Sequence, residues 1–228
     1  MNETTSDKNI HLCEKLNMIN HTSTEQRQVS WYRGFIQGKT RILMAWFFVI
    51  FLGFSARQYP TLPGILVCFL GATLRYWASG YLRKDSRPAV GGPYAFVRNP
   101  LYLGTYLMAV GAAWSVENYL LLGVVTFLFA VVYHYIILDE ETKLQKIFKE
   151  PYFLYCKAVP RFFPRLWPPF FPAKQDELKQ VNPDLSQHRY SHELAMKNKA
   201  YEAYLSFAVL ILFVCLCAFA WSFLNTGV

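Results

Sequence analysis

Residues 42–56, 62–82, 101–116, 119–138 and 201–224 are almost free of charge, and five such stretches leave a chain few ways to fold. In hydrocarbon every backbone N–H and C=O must be satisfied within the protein, so a spanning segment is a helix or part of a closed barrel. Four of the stretches lie near or a little under the ~20 residues that cross a bilayer as helix. The first, with 15 uncharged residues, can still span if Arg41 and Arg57 snorkel at its ends. Charged residues make up 17% of the chain against 54% hydrophobic, too sparse a charge for an ordinary soluble domain. The expected fold is all-α: a polytopic membrane bundle of about five transmembrane helices.

The basic residues set the expected orientation. Lys and Arg number six through residue 41, one in the first turn, five over residues 75–98, none between the third and fourth stretches, eleven over 143–199 and none after. Rich and poor segments alternate, as the positive-inside rule requires for five spans with a cytoplasmic N-terminus. The net charge of +8 thus reads as topology and contact with anionic lipid. Nucleic-acid binding is not expected, because no recognition motif is present.

Four segments follow. Residues 1–38 read as a polar cytoplasmic tail and interfacial lead-in, without the apolar core of a cleaved signal peptide. Residues 39–172 form the core with four spans, 173–200 a polar cytoplasmic linker, and 201–228 a fifth transmembrane helix. The five cysteines show no zinc or disulfide spacing. His188 and His192 stand four apart without a third ligand, so no metal is expected.

Two polar clusters stand at the ends of apolar stretches. The first is Gly92-Pro-Tyr-Ala-Phe-Val-Arg-Asn-Pro-Leu-Tyr-Leu-Gly104. Pro93 and Pro100 restrict the residues before them, and Pro100 suits the first turn of a helix, where its missing N–H costs nothing. Free backbone donors there, with Arg98 two residues earlier, make an anion site. The second cluster opens with Glu140 and Glu141 and continues through residues 151–164, rich in Tyr, Phe and Pro. On a helix Leu144, Ile147 and Phe148 form an apolar stripe, and both glutamates head its buried side, away from Lys143, Lys146 and Lys149.

The pattern Gly-Pro-Tyr94-x-x-Val-Arg98-Asn99-Pro100-x-Tyr102-x-Gly104, then Glu140-Glu141-x-x-Leu and Tyr-x-x-Tyr155-x-x-x-Val-Pro-Arg161, resembles the integral-membrane methyltransferases. These include isoprenylcysteine carboxyl methyltransferase and the phospholipid N-methyltransferases. The resemblance covers about residues 62–164. It implies an S-adenosylmethionine-dependent methyltransferase whose cofactor site is on the cytoplasmic side, with a lipid-like or small hydrophobic acceptor arriving from the bilayer.

By that resemblance Tyr94, Asn99, Pro100, Leu101 and Tyr102 line the cofactor pocket, and Glu140 with Glu141 contacts the cofactor. Arg98 or nearby backbone N–H groups could hold the cofactor carboxylate, leaving the ribose diol or the ammonium to the glutamates. Tyr94 and Tyr102 offer faces for adenine or the sulfonium. Gly104 lets its helix approach a neighbour or the cofactor closely. Arg98 and Glu141 are the catalytic candidates.

Asn99 stands where the family most often has histidine. Ile136 stands where the carboxyl methyltransferases carry a substrate-binding arginine, which speaks against a prenylcysteine acceptor. Arg75, a charge inside the second apolar stretch, and His134, in the fourth, are substrate-side candidates. The sterol reductases share an Arg-x-Pro-x-Tyr-x-Gly motif but use NADPH and lack the glutamate pair. A non-catalytic membrane scaffold is the other alternative.

Overall fold

In a computed structural model of the chain, residues 39–83, 88–164, 175–183 and 189–225 are described. Their regular secondary structure is helical, with no strand among them. Residues 1–38, the expected tail, lie outside the described set.

Helix α1 runs Lys39–Ser55 and α2 Leu62–Ser79, opened by a proline in its first turn. A 3-10 turn, Gly92–Ala95, precedes α3, Pro100–Ser115. Helix α4, Tyr119–Phe148, starts at Asn118, whose side chain accepts from Leu121 N–H. It is one continuous 30-residue helix, so the apolar fourth stretch and the glutamate-bearing segment are not separate elements. Lys149, at φ 51°, breaks it from α5, Glu150–Ala158. Short helices α6, Gln175–Val181, and α7, His192–Lys197, lead to α8, Tyr201–Asn225.

Each of the five apolar stretches is helical. Helices α2, α4 and α8 are long and apolar enough to cross a membrane, while α1 and α3 are shorter, at 17 and 16 residues. Trp46, Phe47, Phe54, Phe127, Phe219 and Phe223 point away from the protein. So much outward-facing apolar surface suits lipid and not water. The molecule fits an integral membrane protein.

Helices α2 and α3 pack backbone to backbone. A Cβ on Gly111 would lie 2.3 Å from Cys68 N, and one on Gly71 would lie 2.6 Å from Gly104 O. Close approach through small residues is how helices associate in lipid, where burial of apolar surface gives no net drive. This contact carries Arg75 of α2 against the first turns of α3, since a Cβ on Gly104 would meet Arg75 Cγ at 2.6 Å.

Outside the helical bundle, α5 and α6 form a second core. Tyr152, Tyr155, Val159, Leu178 and Val181 pack around Val90 and Ala95. That core holds the 3-10 turn and the start of α3 in place.

Candidate active site

The two polar clusters meet at one carboxylate. Glu141, 3% exposed on α4, receives Arg98 Nη1 at 3.1 Å on one oxygen and Arg161 Nε at 3.0 Å on the other. Asn99 Nδ2 donates to Arg161 O at 3.0 Å and reaches Glu141 Oε1 at 3.5 Å. The backbone adds a further tie, Arg98 N–H to Pro160 O at 2.9 Å. Asn99 occupies the position before α3, yet its side chain caps nothing there and is committed to this network.

The residues between the two clusters explain the convergence. Gly92 opens the 3-10 turn at φ +56°, and a Cβ there would strike the Tyr81 ring. Tyr155 OH donates to Tyr94 O at 2.7 Å, tying α5 to that turn. Burial pushes the Tyr94, Tyr152 and Tyr155 hydroxyls well above the usual tyrosine range. Burial also raises the Cys156 thiol, although neighbouring Arg98 pulls the other way. These groups are neutral packing members at ordinary pH.

Beside the network lies a cavity of about 440 Å³. Of the residues expected from the sequence, Tyr94, Arg98, Asn99, Pro100, Leu101, Tyr102, Glu140 and Arg75 line it. Glu141 does not: it is enclosed between its two arginines. Gly104 does not either, being pressed against α2. His134 lines a separate cavity of about 330 Å³ walled by Tyr106, Phe162 and Phe163.

The glutamates therefore part company. Adjacent helix positions differ by ~100° of rotation, so one faces the protein and the other the cavity rim. The apolar stripe shifts accordingly: Leu144 and Phe148 pack inward below Glu141, while Ile147 is 67% exposed.

Arg161 and Thr105 received no site role from the sequence. Arg161 stands within the quoted Val-Pro-Arg motif, so a signal was present, but its pairing across twenty residues needs the fold. Thr105 Oγ1 accepts from Arg75 Nη1 and donates to Leu101 O at 3.0 Å. A threonine one turn into an apolar helix carries no such signal.

Tyr94 OH and Arg98 Nε belong to residues that line the cavity, but both atoms are fully buried and have no hydrogen-bond partner among the described residues. Buried polar atoms are rarely left so. The cavity falls within the ~300–1,000 Å³ of small-molecule sites. It presents two guanidiniums, three tyrosines and a carboxylate, a set of donors, ring faces and an acceptor suited to a small charged ligand.

Residues 62–151 match the family model for phospholipid methyltransferase. The match takes in α2 to α4, the first motif and the glutamate pair that opens the second, and stops short of Tyr155, Arg161 and α8.

Two curated proteins are similar over part of their length. The nickel-cobalt-cadmium resistance protein of Alcaligenes xylosoxydans xylosoxydans is 32% identical over 108 residues, 45% of this chain and 50% of that protein. The cobalt-zinc-cadmium resistance protein of Cupriavidus metallidurans is 32% identical over 105 residues, 45% of this chain and 48% of that protein. The chain thus spans about half the length of the curated relatives it matches. No solved structure matches it.

Proposed function

We propose that this protein transfers a methyl group from S-adenosylmethionine to a lipid-like or small hydrophobic acceptor at the cytoplasmic membrane boundary. The observation that supports this best is the 440 Å³ cavity on which both motifs converge, with Tyr94, Arg98, Asn99, Tyr102 and Glu140 among the residues that line it. The five helices α1, α2, α3, α4 and α8 cross the bilayer in this reading, and the cavity opens on the positively charged side.

When bound, S-adenosylmethionine supplies an electrophilic methyl group whose sulfonium leaves as a neutral thioether. The chain's own residues position and hold. Arg98, whose side chain lines the cavity, presents its guanidinium to the cofactor carboxylate. Glu140, which makes no ion pair among the described residues, accepts from the ribose diol or the ammonium. Tyr102 offers its ring face to the sulfonium or adenine. Glu141 acts through Arg98, whose Nη1 it pairs with and so fixes beside the cavity; it is a positioning residue. Alignment of the acceptor, and not strong acid or base chemistry, lowers the barrier.

Isothermal titration of the full chain with S-adenosylmethionine and with NADPH tests the reading. Binding of S-adenosylmethionine, abolished in Glu140→Ala, is expected. Tight binding of NADPH alone would favour the sterol-reductase-like alternative, and binding of neither would favour a scaffold. Labelled-methyl transfer to a total membrane lipid extract, with mass analysis of the product, then identifies the acceptor.

A further inference from the structure

A second cavity, of about 310 Å³, lies deeper in the bundle and differs from the first in character. All five of the apolar helices contribute to it: Phe48 from α1, Arg75 from α2, Met108 from α3, Leu128 from α4 and Leu210 from α8 are among its walls. Hydrocarbon side chains dominate. The two cavities share Arg75, Thr105 and Tyr133, so they meet at that point.

Arg75 is the one guanidinium at this junction, and its pairing is incomplete. Its Nη1 donates to Thr105 Oγ1, a neutral partner. Among the described residues no carboxylate lies within 4.0 Å of it. Glu202 borders a small cleft on another side of Arg75 and acts on it electrostatically, but its ion pair is with Lys199 at 3.8 Å. A charge among apolar helices with no carboxylate in ion-pair contact is costly, and such a residue marks a candidate binding site. The Thr105 hydroxyl fixes the guanidinium, and the Gly71–Gly104 contact brings both helices to it.

We propose that Arg75 selects an acceptor with an anionic head group, whose single hydrocarbon chain fills the apolar cavity that α8 helps to close. Calling that ligand an acceptor rests on the methyl-transfer reading; the anion preference does not. A neutral amphiphile would fit the apolar walls equally but leave the guanidinium unpaired. A carboxylate or a phosphate monoester supplies the shared chemistry: oxygens that accept two N–H bonds from one guanidinium. The volume, at the low end of the ~300–1,000 Å³ of small-molecule sites, suits one chain and not two.

The test is equilibrium binding of tritiated palmitate, hexadecyl phosphate and hexadecanol to the full chain in neutral detergent. The two anions distinguish a carboxylate from a phosphate head. At least one anion should bind about tenfold or more tighter than hexadecanol, the worth of one charge-assisted bidentate contact. Arg75→Gln should erase that preference while hexadecanol affinity holds, and Arg75→Lys should restore part of it. Ser206→Phe, on the α8 wall, should weaken all three probes together while S-adenosylmethionine titration is unaffected. Equal affinity for the three probes in the unsubstituted chain, or a preference that survives Arg75→Gln, overturns the proposal. Anion preference in a chain that binds no S-adenosylmethionine keeps this site and overturns the methyl-transfer reading instead.

Discussion

Glu141 is one buried carboxylate facing two guanidiniums, and removing its charge should cost more than removing either partner. Glu141→Gln keeps the shape but leaves Arg98 buried without a counter-ion. It should lose about 3 kcal/mol, read as a lower thermal unfolding midpoint in detergent. Arg161 is about a third exposed, so water screens its share, and Arg161→Ala should lose about 1 kcal/mol or less. An equal loss for both would show that the pair is not asymmetric.

The neighbouring tyrosines give the site an alkaline limit. Tyr94, Tyr152 and Tyr155 are held neutral in the fold, with their hydroxyls raised above the ordinary range by burial. As pH rises past about 10 the unfolded chain releases these protons first. The stability present below that pH should therefore fall as pH climbs toward the folded values. Tyr152→Phe should flatten this decline in unfolding midpoint between pH 9 and 11. The raised Cys156 thiol should, on the same logic, react slowly with iodoacetamide near pH 8 and faster as pH rises.

Among the elements, the α2–α3 contact is the tightest to test. Gly111→Ala would force a Cβ to within 2.3 Å of Cys68 N, backbone that cannot give. A loss of about 1–3 kcal/mol in stability is expected, together with weaker ligand binding as Arg75 shifts. Gly123→Ala on α4 is the control: nothing lies within 4 Å of its Cβ, and helix propensity should raise stability by about 0.5–1 kcal/mol. Both effects are read by thermal unfolding in the same detergent. Gly111 and Gly123 look alike in the sequence, since each is a glycine in an apolar run. The difference lies in which helix passes beside them, and periodicity does not contain that.

Elsewhere the chain is legible for identifiable reasons. Apolar length marks the helices, because hydrocarbon allows few other backbones. Pro100 marks the start of α3 and the turn before it, because its ring permits little else. The convergence of the two clusters follows from two helices returning the chain to one side. The division of labour between Glu140 and Glu141 does not, since one helical step decides which of them is enclosed. Nor does the approach of α6, whose Leu178 and Val181 join the core around Val90 from a stretch that reads as polar linker.

At the scale of the whole molecule, the C-terminal region is fastened to the end of α2. Asn198 Nδ2 donates to Ser79 O at 2.9 Å and Leu82 O at 2.8 Å, and Ser191 N–H bonds Gly80 O at 3.2 Å. These bonds satisfy carbonyls that a helix end leaves open. Asn198→Ala should lower stability by about 1–2 kcal/mol, read by thermal unfolding, with α8 loosened from the bundle before the rest.

The unbroken length of α4 carries a consequence for where the protein can work. Thirty residues at ~1.5 Å each make a rod of ~45 Å, against a hydrocarbon layer of ~30 Å. About ten residues, with both glutamates at their beginning, must then stand clear of the oil. The protein measures the membrane it sits in: longer lipid tails would draw Glu140 toward the hydrocarbon, or tilt the rod to avoid it. In the methyl-transfer reading proposed above, turnover should accordingly peak at one acyl-chain length and fall on either side, so that lipid thickness becomes a setting of the protein and not only its surroundings.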